Sequence, residues 1–273
     1  MRESKFQATE VVLNCADGPA SGPHVLLLHG LFDRWEILRP IADSLSSHWH
    51  IHSFDMRGHG KSGRVTGKYL PQDYFRDAAE YLCERFTEPA VIFGHSAGGL
   101  IALWCAAEHP EHVRAVINGD LFCSSARLAS LVQRWESIAY HEKLQSLAGK
   151  PMDRILSSEL ASYITNAGRE AWAEAISLLD PDTVGHHASG DGLGYIEAVD
   201  TDVILSRVRC PVLLLSGDQD CGAVMTADDV EYACARLGGA CHVRLKNVGH
   251  DLGLFSLNTE PLLQAVDQFL ESL

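Results

Sequence analysis

The sequence predicts an α/β protein with a mainly parallel central sheet and helices on both of its faces. Short apolar runs alternate with longer segments of helical periodicity, the rhythm of successive strand and helix units. Three of the runs, at 24–28, 90–93 and 212–215, are apolar without alternation, as expected for central strands that helices cover on both sides. The 273 residues suffice for one large domain or for a core with one insertion.

Taken in order, the elements follow from this pattern of apolar runs and amphipathic segments. The strands are expected at Glu10–Cys15, His24–Leu28, His50–Phe54, Ala90–Phe93, Val113–Ile117, Val212–Leu215 and His242–Leu245. The helices are expected at Trp35–Ser46, Pro71–Phe86, Ala97–Glu108, Ala227–Leu237 and Glu260–Leu270. Pro261 lies in the first turn of the last helix, where its missing N–H costs nothing.

One region breaks the rhythm. Between Leu121 and Val208 the sequence has amphipathic helical patterns, at 126–148 and 169–179, and no convincing strand. We therefore predict a helical cap over residues 121–208, inserted into a core formed by residues 1–120 and 209–273. Within this cap, three glycines at 186–194 indicate a flexible connector or an active-site loop.

Charge and composition exclude several function classes. The 22 Lys and Arg against 36 Asp and Glu give a net charge of −14, which repels nucleic-acid backbones and anionic membrane surfaces. The chain has no apolar run of roughly 20 residues and no secretion signal at its start, so we expect a cytoplasmic protein acting on a small molecule. The eight cysteines form no CxxC pair, which predicts reduced core thiols and no structural zinc site.

The strongest chemical signal is Gly94-His95-Ser96-Ala97-Gly98, which lies between a predicted strand and a predicted helix. A serine at the apex of so tight a turn adopts a strained backbone conformation, and its neighbours two positions away must lack a Cβ atom. Gly94 and Gly98 meet that requirement. The helix that follows directs its first N–H groups and its positive dipole end towards the place where an oxyanion would form beside Ser96.

A serine hydroxyl needs a base within hydrogen-bond reach, and the base needs an acid to orient it. Two loops after later strands supply these residue types. Asp218 and Asp220 follow the strand at 212–215, and His250 follows the strand at 242–245. Because sites in open α/β sheets gather at the carboxyl ends of strands, the order serine, acid, histidine predicts a catalytic triad.

Five motifs in this order resemble the α/β-hydrolase superfamily over nearly the whole chain. They are His29-Gly30, the segment Asp55–Ser62 (DMRGHGKS), Gly94–Gly98, Gly217–Asp220 and Gly249-His250. The resemblance implies the α/β-hydrolase fold with a cap inserted after the sixth strand, which agrees with the helical stretch from 121 onwards.

The resemblance also implies roles for single residues. By position, Ser96 resembles the nucleophile, His250 the base and Asp220 the acid, and the backbone N–H groups of Leu31 and Ala97 resemble the oxyanion donors. Asp220 is favoured over Asp218 because the family's acid usually stands three residues beyond the glycine.

A second position for the acid stays open, because some relatives carry it after the sixth strand. Asp120 occupies that position here and is the reserve acid. Its simpler interpretation is a turn or helix-capping aspartate at the start of the cap.

The remaining histidines and aromatic residues receive structural interpretations. His48, His50 and His52 alternate and would share one face of a strand, but a half-buried or edge strand explains them, so we predict no metal site. His29 and His95 are expected to support the loops around Ser96. Apolar rings could wall a pocket or pack the cap on the core: Trp35, Phe122, Trp135, Tyr140, Trp172 and Tyr195.

The expected activity is hydrolysis of a carboxylic ester or lactone through an acyl-enzyme, without a cofactor. Carbon–carbon bond hydrolysis of a ring-cleavage product is an alternative, weakened because Asp251 stands where such relatives often have Trp. Perhydrolase or haloperoxidase-like activity uses the same triad. A small-molecule binding module of the same fold is the non-enzymatic alternative, and an oligomeric state is not predicted.

Overall fold

The computed structural model describes residues 1–122, 124–127, 138–188, 199–255 and 258–273, with the side chains of 138–139 and 186–188 excluded. Its centre is an eight-stranded sheet in the order β1-β2-β4-β3-β5-β6-β7-β8. β1 and β2 are antiparallel to each other and β2 to β4, whereas the other neighbours are parallel. The strands are β1 Arg2–Gln7, β2 Val12–Asp17, β3 His24–Leu28, β4 His50–Phe54, β5 Ala90–His95, β6 Val113–Gly119, β7 Val212–Ser216 and β8 Cys241–Arg244.

Helices cover both faces of the sheet, as the uninterrupted apolar runs predict. In β3 the side chains alternate between two cores: Leu26 and Leu28 face one, and Val25 and Leu27 face the other. The helices among the described residues are α1 Arg39–Leu45, α2 Pro71–Arg85, α3 Ala97–Glu108, α4 Ile138–Leu147, α5 Met152–Leu156, α6 Arg169–Leu178, α7 Pro181–Ala188, α8 Thr201–Arg207, α9 Ala227–Arg236 and α10 Glu260–Glu271.

The two cores use different helices. The first packs α2, α3, α8 and α9 on the sheet, and the second packs α1 and α10. Burial of complete apolar side chains stabilises such layers by roughly 1.5–3 kcal/mol per residue relative to exposure. The predicted α/β fold with helices on both faces is therefore confirmed.

Between β6 and β7, every regular element among the described residues is helical. Residues from α4 to α7 form their own apolar core, in which Trp172 is buried. Hydrogen bonds tie this layer to the sheet domain: the Tyr69 hydroxyl donates to Asp180 Oδ2 at 2.6 Å, and the Asp180 N–H donates to the Gly58 carbonyl at 2.8 Å. That these helices form a cap over residues 121–208 stays a prediction.

Several expectations differ from the structure in detail. The sequence pattern missed β1, and the helix expected at 35–46 is divided into a 3₁₀ turn, Trp35–Leu38, and α1, which has a proline in its first turn. Residues 186–188 lie in α7 rather than in a loop, and 189–194 lie outside the described residues, as do Trp135 and Tyr195.

The cysteines were predicted only partly correctly. Cys15 and Cys105 are buried, but Cys83, Cys221 and Cys241 are exposed, so the expectation of core thiols is wrong for these three. The described cysteines are free thiols, and Cys123 lies outside the described residues. None of the helices formed by the described residues has the length and apolar character that a bilayer crossing requires.

Candidate active site

Ser96 lies at the apex of a strained turn between β5 and α3. Its φ of 52° is in the left-handed region, which is costly for a residue with a side chain. A Cβ atom on Gly94 would lie 2.1 Å from the Gly98 carbonyl oxygen, and one on Gly98 would lie 2.4 Å from the Leu28 carbonyl oxygen. A side chain at either position would therefore force the backbone to shift, as the sequence pattern indicates.

His250 reaches Ser96 from the loop after β8. Its Nε2 atom lies 3.0 Å from the Ser96 hydroxyl oxygen. Two glycines allow the loops after β7 and β8 to approach each other closely, because a Cβ on Gly217 would lie 2.4 Å from the Gly249 carbonyl oxygen and one on Gly249 would lie 2.2 Å from the Cys221 carbonyl oxygen. The predicted serine and histidine are thus brought into contact.

The acid beside His250 is Asp120, not Asp220. Asp120 Oδ2 lies 2.8 Å from His250 Nδ1. The carboxylate is fully buried and also accepts hydrogen bonds from three backbone N–H groups, those of Val224 at 2.8 Å and of Gly217 and Met225 at 3.2 Å each. These donors hold the carboxylate in one orientation towards the imidazole.

The structure does not bring the predicted acid Asp220 to His250, for a geometric reason. Asp220 lies in a short 3₁₀ turn, Gln219–Cys221, with its side chain in solvent, while the N–H groups of the same loop point at Asp120. Asp218, the other acid of that loop, pairs with Arg244 at 2.6 Å. The loop after β7 therefore supplies donors to the acid rather than the acid itself.

Strand register explains why Asp120 is so close. In the parallel pair β5–β6, His95 is opposite Gly119, so that the next residues, Ser96 and Asp120, leave the same edge of the sheet side by side. The Ser96 N–H donates to the Gly119 carbonyl at 2.7 Å. Asp120 has a φ of 51°, which turns its side chain into the site. Its position directly after the strand was the signal available in the sequence.

The groups predicted as oxyanion donors flank Ser96. Ala97 is the first residue of α3, where backbone N–H groups have no carbonyl partner within the helix. Leu31 follows Gly30, which lies close to the serine, since a Cβ atom on Gly30 would lie 3.1 Å from the Ser96 Cβ. The loop that carries Leu31 is therefore held against the serine, and the donor role of the two N–H groups stays a prediction.

Two buried histidines fix that loop. His29 Nδ1 donates to the Gly30 carbonyl at 2.7 Å, and His29 Nε2 accepts the Met56 N–H at 2.9 Å. His59 Nε2 accepts the Phe32 N–H at 3.1 Å. Burial lowers the pKa of His29 to about 4 and that of His59 to about 3, so both rings are neutral acceptors at neutral pH. The supporting role of His59 was not recognised from the sequence.

Two buried titratable groups near His250, His95 and Asp33, are held mainly in their uncharged forms at neutral pH. His95 Nε2 bonds the His250 carbonyl oxygen at 2.7 Å, and burial lowers the His95 pKa to about 4, which agrees with a supporting role. Burial and the nearby Asp251 raise the pKa of Asp33 to about 8, so this carboxyl is mainly protonated at neutral pH.

The aromatic residues predicted for the cap region serve mainly in packing where they are described. Phe122 and Trp35 are buried with the sheet domain, and Trp172 is buried in the cap core, whereas Tyr140 is exposed. The cap core also receives Phe32 and Phe255 from loops at the carboxyl edge of the sheet, which places apolar side chains between the two layers.

A mostly parallel eight-stranded sheet with helices on both faces and a serine at a strained strand-to-helix turn defines the α/β-hydrolase class. The chain belongs to the alpha/beta hydrolase fold family, whose model matches residues 23–255. The resemblance inferred from the sequence is thereby confirmed.

Individual relatives are hydrolases. The chain is 25% identical over 254 residues to (E)-2-((N-methylformamido)methylene)succinate hydrolase of Acinetobacter baylyi, covering 92% of this chain and 91% of that protein. It is 29% identical over 260 residues to pimeloyl-[acyl-carrier protein] methyl ester esterase of Xanthomonas campestris pv. campestris, covering 92% and 94%.

A solved structure shows the same fold. The crystal structure of E-2-(acetamidomethylene)succinate hydrolase superimposes with a TM-score of 0.78 at 20% identity, covering 99% of both chains. The family and the names of these relatives support hydrolase activity for this chain.

Proposed function

We propose that the protein is a serine hydrolase that cleaves a carboxylic ester or lactone of a small, partly apolar molecule through an acyl-enzyme. The observation that carries the proposal is the continuous hydrogen-bonded chain from Ser96 through His250 to Asp120, with N···O distances of 3.0 and 2.8 Å. These distances are within the reach that a nucleophile, its base and the orienting acid require.

Acylation begins with proton transfer from Ser96. Because Asp120 accepts from His250 Nδ1, this nitrogen carries the proton of the neutral ring and Nε2 has the lone pair that faces the hydroxyl. Nε2 takes the hydroxyl proton while Oγ attacks the carbonyl carbon. The tetrahedral oxyanion is held by the N–H groups of Leu31 and Ala97, each worth about 3 kcal/mol in the transition state.

Collapse of the tetrahedral intermediate breaks the bond to the leaving alcohol, which takes the proton from His250 Nε2. The acyl group then remains on Ser96. A water molecule gives a proton to Nε2 and attacks the acyl carbon, and a second collapse releases the carboxylic acid and returns the proton to Ser96. No step of this cycle calls for a cofactor.

We propose that the helices between β6 and β7 act as a cap whose inner surface selects the substrate. In support, the Arg34 guanidinium in the sheet domain pairs with Glu174 of α6 at 2.5 Å, and Tyr69 bonds Asp180 just before α7. These contacts join the proposed cap to two loops of the sheet domain. Ligand sites of this kind commonly lie between two such layers.

A second candidate reaction is cleavage of a C–N bond. It is favoured by the relative from Acinetobacter baylyi, named as a hydrolase of a formamidomethylene succinate, which aligns over 92% of this chain. The same serine, base and acid would act, with an amine as leaving group that accepts the proton from His250. Carbon–carbon cleavage and perhydrolysis remain alternatives that use the same residues.

The test compares the wild-type protein with Ser96→Ala on p-nitrophenyl esters of increasing acyl length, lactones, enamides of dicarboxylic acids and vinylogous diketones. We expect ester or lactone turnover in the wild type and a loss of about 10⁶-fold in kcat in the variant. Preference for the enamides or diketones would promote the corresponding alternative. Equal turnover by both proteins would overturn the mechanism, and tight binding without turnover would indicate a binding module.

A further inference from the structure

Three histidines lie together at the amino ends of two central strands, on the opposite edge of the sheet from Ser96. In the β3–β4 register His24 is opposite His50, and Leu26 is opposite His52. Since alternate residues of a strand share one face, His50 and His52 project to the same side. The ring centroids of His50 and His52 are 4.1 Å apart, and those of His24 and His52 are 5.1 Å apart.

The ring nitrogens lie close to the separations that a single cation needs. One nitrogen from each of the three histidines lies within 4.8 Å of the other two, and His24 Nδ1 and His52 Nε2 are 3.0 Å apart. Tetrahedral zinc with Zn–N bonds of 2.0–2.1 Å requires nitrogens about 3.4 Å apart. Small rotations of the half-buried His24 and His50 rings about the buried His52 ring would therefore bring all three nitrogens to one centre.

A carboxylate already orients the most buried ring. Asp17 Oδ1 lies 3.1 Å from His52 Nδ1, and Asp17 is the register partner of His52 in β2–β4. This contact places the proton on Nδ1 and leaves Nε2 as the lone-pair nitrogen that faces His24. A carboxylate bonded to the far nitrogen of a histidine is the usual outer support of a metal ligand.

The cluster opens into a surface hollow of about 820 Å³, which leaves room for water or a further ligand. Glu84 and Arg85, near the end of α2, line the same hollow, and Arg85 lies 3.6 Å from the other oxygen of Asp17. Arg2 and the amino-terminal Met1 line the hollow as well, so acidic and basic groups both surround the cluster. The net charge of −14 favours cations at the surface of the protein as a whole.

We propose that His24, His50 and His52 form a binding site for one divalent transition-metal cation of the class that imidazole prefers, with Zn²⁺ as the leading member. This differs from the sequence expectation of no metal site, because His24 comes from another strand and replaces the exposed His48 in the cluster. On binding, the His24 proton moves from Nδ1 to Nε2 through solvent, and each ring donates one lone pair.

The site is separate from the proposed hydrolase chemistry. The three histidines lie at the amino ends of β3 and β4, whereas Ser96 and Asp120 follow the carboxyl ends of β5 and β6. A cation would therefore cross-link the entry segments of two central strands and stabilise the folded chain. This inference does not depend on the proposed function.

The experiment is calorimetric titration of the full chain, without a histidine tag, with ZnCl₂. Single variants His24→Ala and His50→Ala remove one ligand each, and Asp17→Asn removes the outer carboxylate. His48→Ala is a matched control because His48 is exposed and its side chain bonds only Ser47 among the described contacts. Thermal melts without metal verify that each variant is folded.

We expect one Zn²⁺ per wild-type and His48→Ala chain, with a melting temperature that rises with Zn²⁺ concentration. His24→Ala and His50→Ala should lose this binding, and Asp17→Asn should weaken it by about 10–100-fold. The absence of binding by the wild type would overturn the proposal. Equal affinity in the wild type and both ligand variants would also overturn it, because the cation would then be bound elsewhere on the chain.

Discussion

At the scale of single residues, the proposed triad acid is set apart by its surroundings rather than by its sequence motif. Asp120 is fully buried and accepts three backbone hydrogen bonds and one from His250, whereas Asp220 is in solvent. An exposed carboxylate outside contact with the imidazole cannot hold its tautomer or stabilise its positive form.

The pair of variants Asp120→Asn and Asp220→Asn tests this assignment. Asp120→Asn should lower kcat for a p-nitrophenyl ester by about 10⁴-fold, because the amide favours the wrong imidazole tautomer. Asp220→Asn is the matched control and should retain wild-type kcat. Steady-state kinetics on the folded variants measure both values of kcat. A large loss of kcat in Asp220→Asn alone would identify Asp220 as the acid, as expected from the sequence.

His29 gives a prediction about pH and stability. Its pKa of about 4 in the fold compares with about 6.5 in the unfolded chain, so that below pH 6.5 the unfolded chain binds the additional proton. The free energy of unfolding should therefore fall as pH decreases from 6.5 to 4, by roughly 3 kcal/mol from this residue.

His29→Asn removes this titration. Urea unfolding at several pH values between 7 and 5 should give a shallower acid slope in the variant, by up to about 1.4 kcal/mol per pH unit, whatever its absolute stability. The raised pKa of Asp33 has the opposite effect, because it favours the folded chain as pH falls. This contribution is the same in both proteins and cancels when their slopes are subtracted. Equal slopes would show that His29 is not held neutral.

The sequence predicts part of the site for a clear reason. Ser96 and His250 could be recognised because glycines lie on either side of the serine and before the histidine. A Cβ atom at any of these three glycines would lie 2.1–2.4 Å from a backbone oxygen. The acid has no such local mark. Asp120 and Asp220 both follow a strand, and only the tertiary placement of the N–H groups at 217–225 separates them.

At the scale of elements, the turn from β5 to α3 depends on a close helix–strand contact. Gly98→Ala would place a methyl group 2.4 Å from the Leu28 carbonyl, so we expect a loss of about 1–3 kcal/mol of stability and lower esterase activity. Gly238→Ala is the control, because nothing lies within 4 Å of a Cβ there. Chemical denaturation measures the stability of both variants, and ester turnover measures their activity. Wild-type stability and activity in Gly98→Ala would contradict the close helix–strand contact.

Element prediction succeeded where burial is two-sided. β3, β4 and α3 have the bounds expected from their apolar runs. β1 was missed because it is an antiparallel edge strand in which only Phe6 is buried and polar side chains bond across to β2 and its surroundings, as Ser4 does to Asp17 at 3.0 Å. Such a strand forms because it pairs with its neighbour β2. Its own sequence has no recognisable alternation of apolar and polar residues.

At the scale of the whole molecule, polar contacts join the α4–α7 helices, the proposed cap, to the sheet domain. Tyr69→Phe removes the 2.6 Å bond to Asp180 and should cost about 1–3 kcal/mol of stability while raising KM more than it lowers kcat, because the cap loses its fixed position. Tyr163→Phe, at an exposed tyrosine, is the control and should change neither. Unchanged KM and stability in Tyr69→Phe would contradict the role of this contact.

The two edges of the sheet bring together different groups of polar side chains. The carboxyl edge brings together the proposed nucleophile, base and acid from the ends of β5, β8 and β6, and the amino edge brings together three histidines from β3 and β4. Neither grouping is local in sequence, since parallel strands bring distant segments to a common edge. That is why the sheet could be predicted more completely than the partners within each cluster.

The central claim is that the hydroxyl of Ser96 is activated by His250. Its most direct test is reaction of the folded protein with a fluorophosphonate probe, followed by peptide mass spectrometry. We expect one adduct per chain, on Ser96, that is absent in Ser96→Ala and forms far more slowly in His250→Ala. An adduct on another residue, or labelling of the wild type no faster than that of His250→Ala, would contradict it.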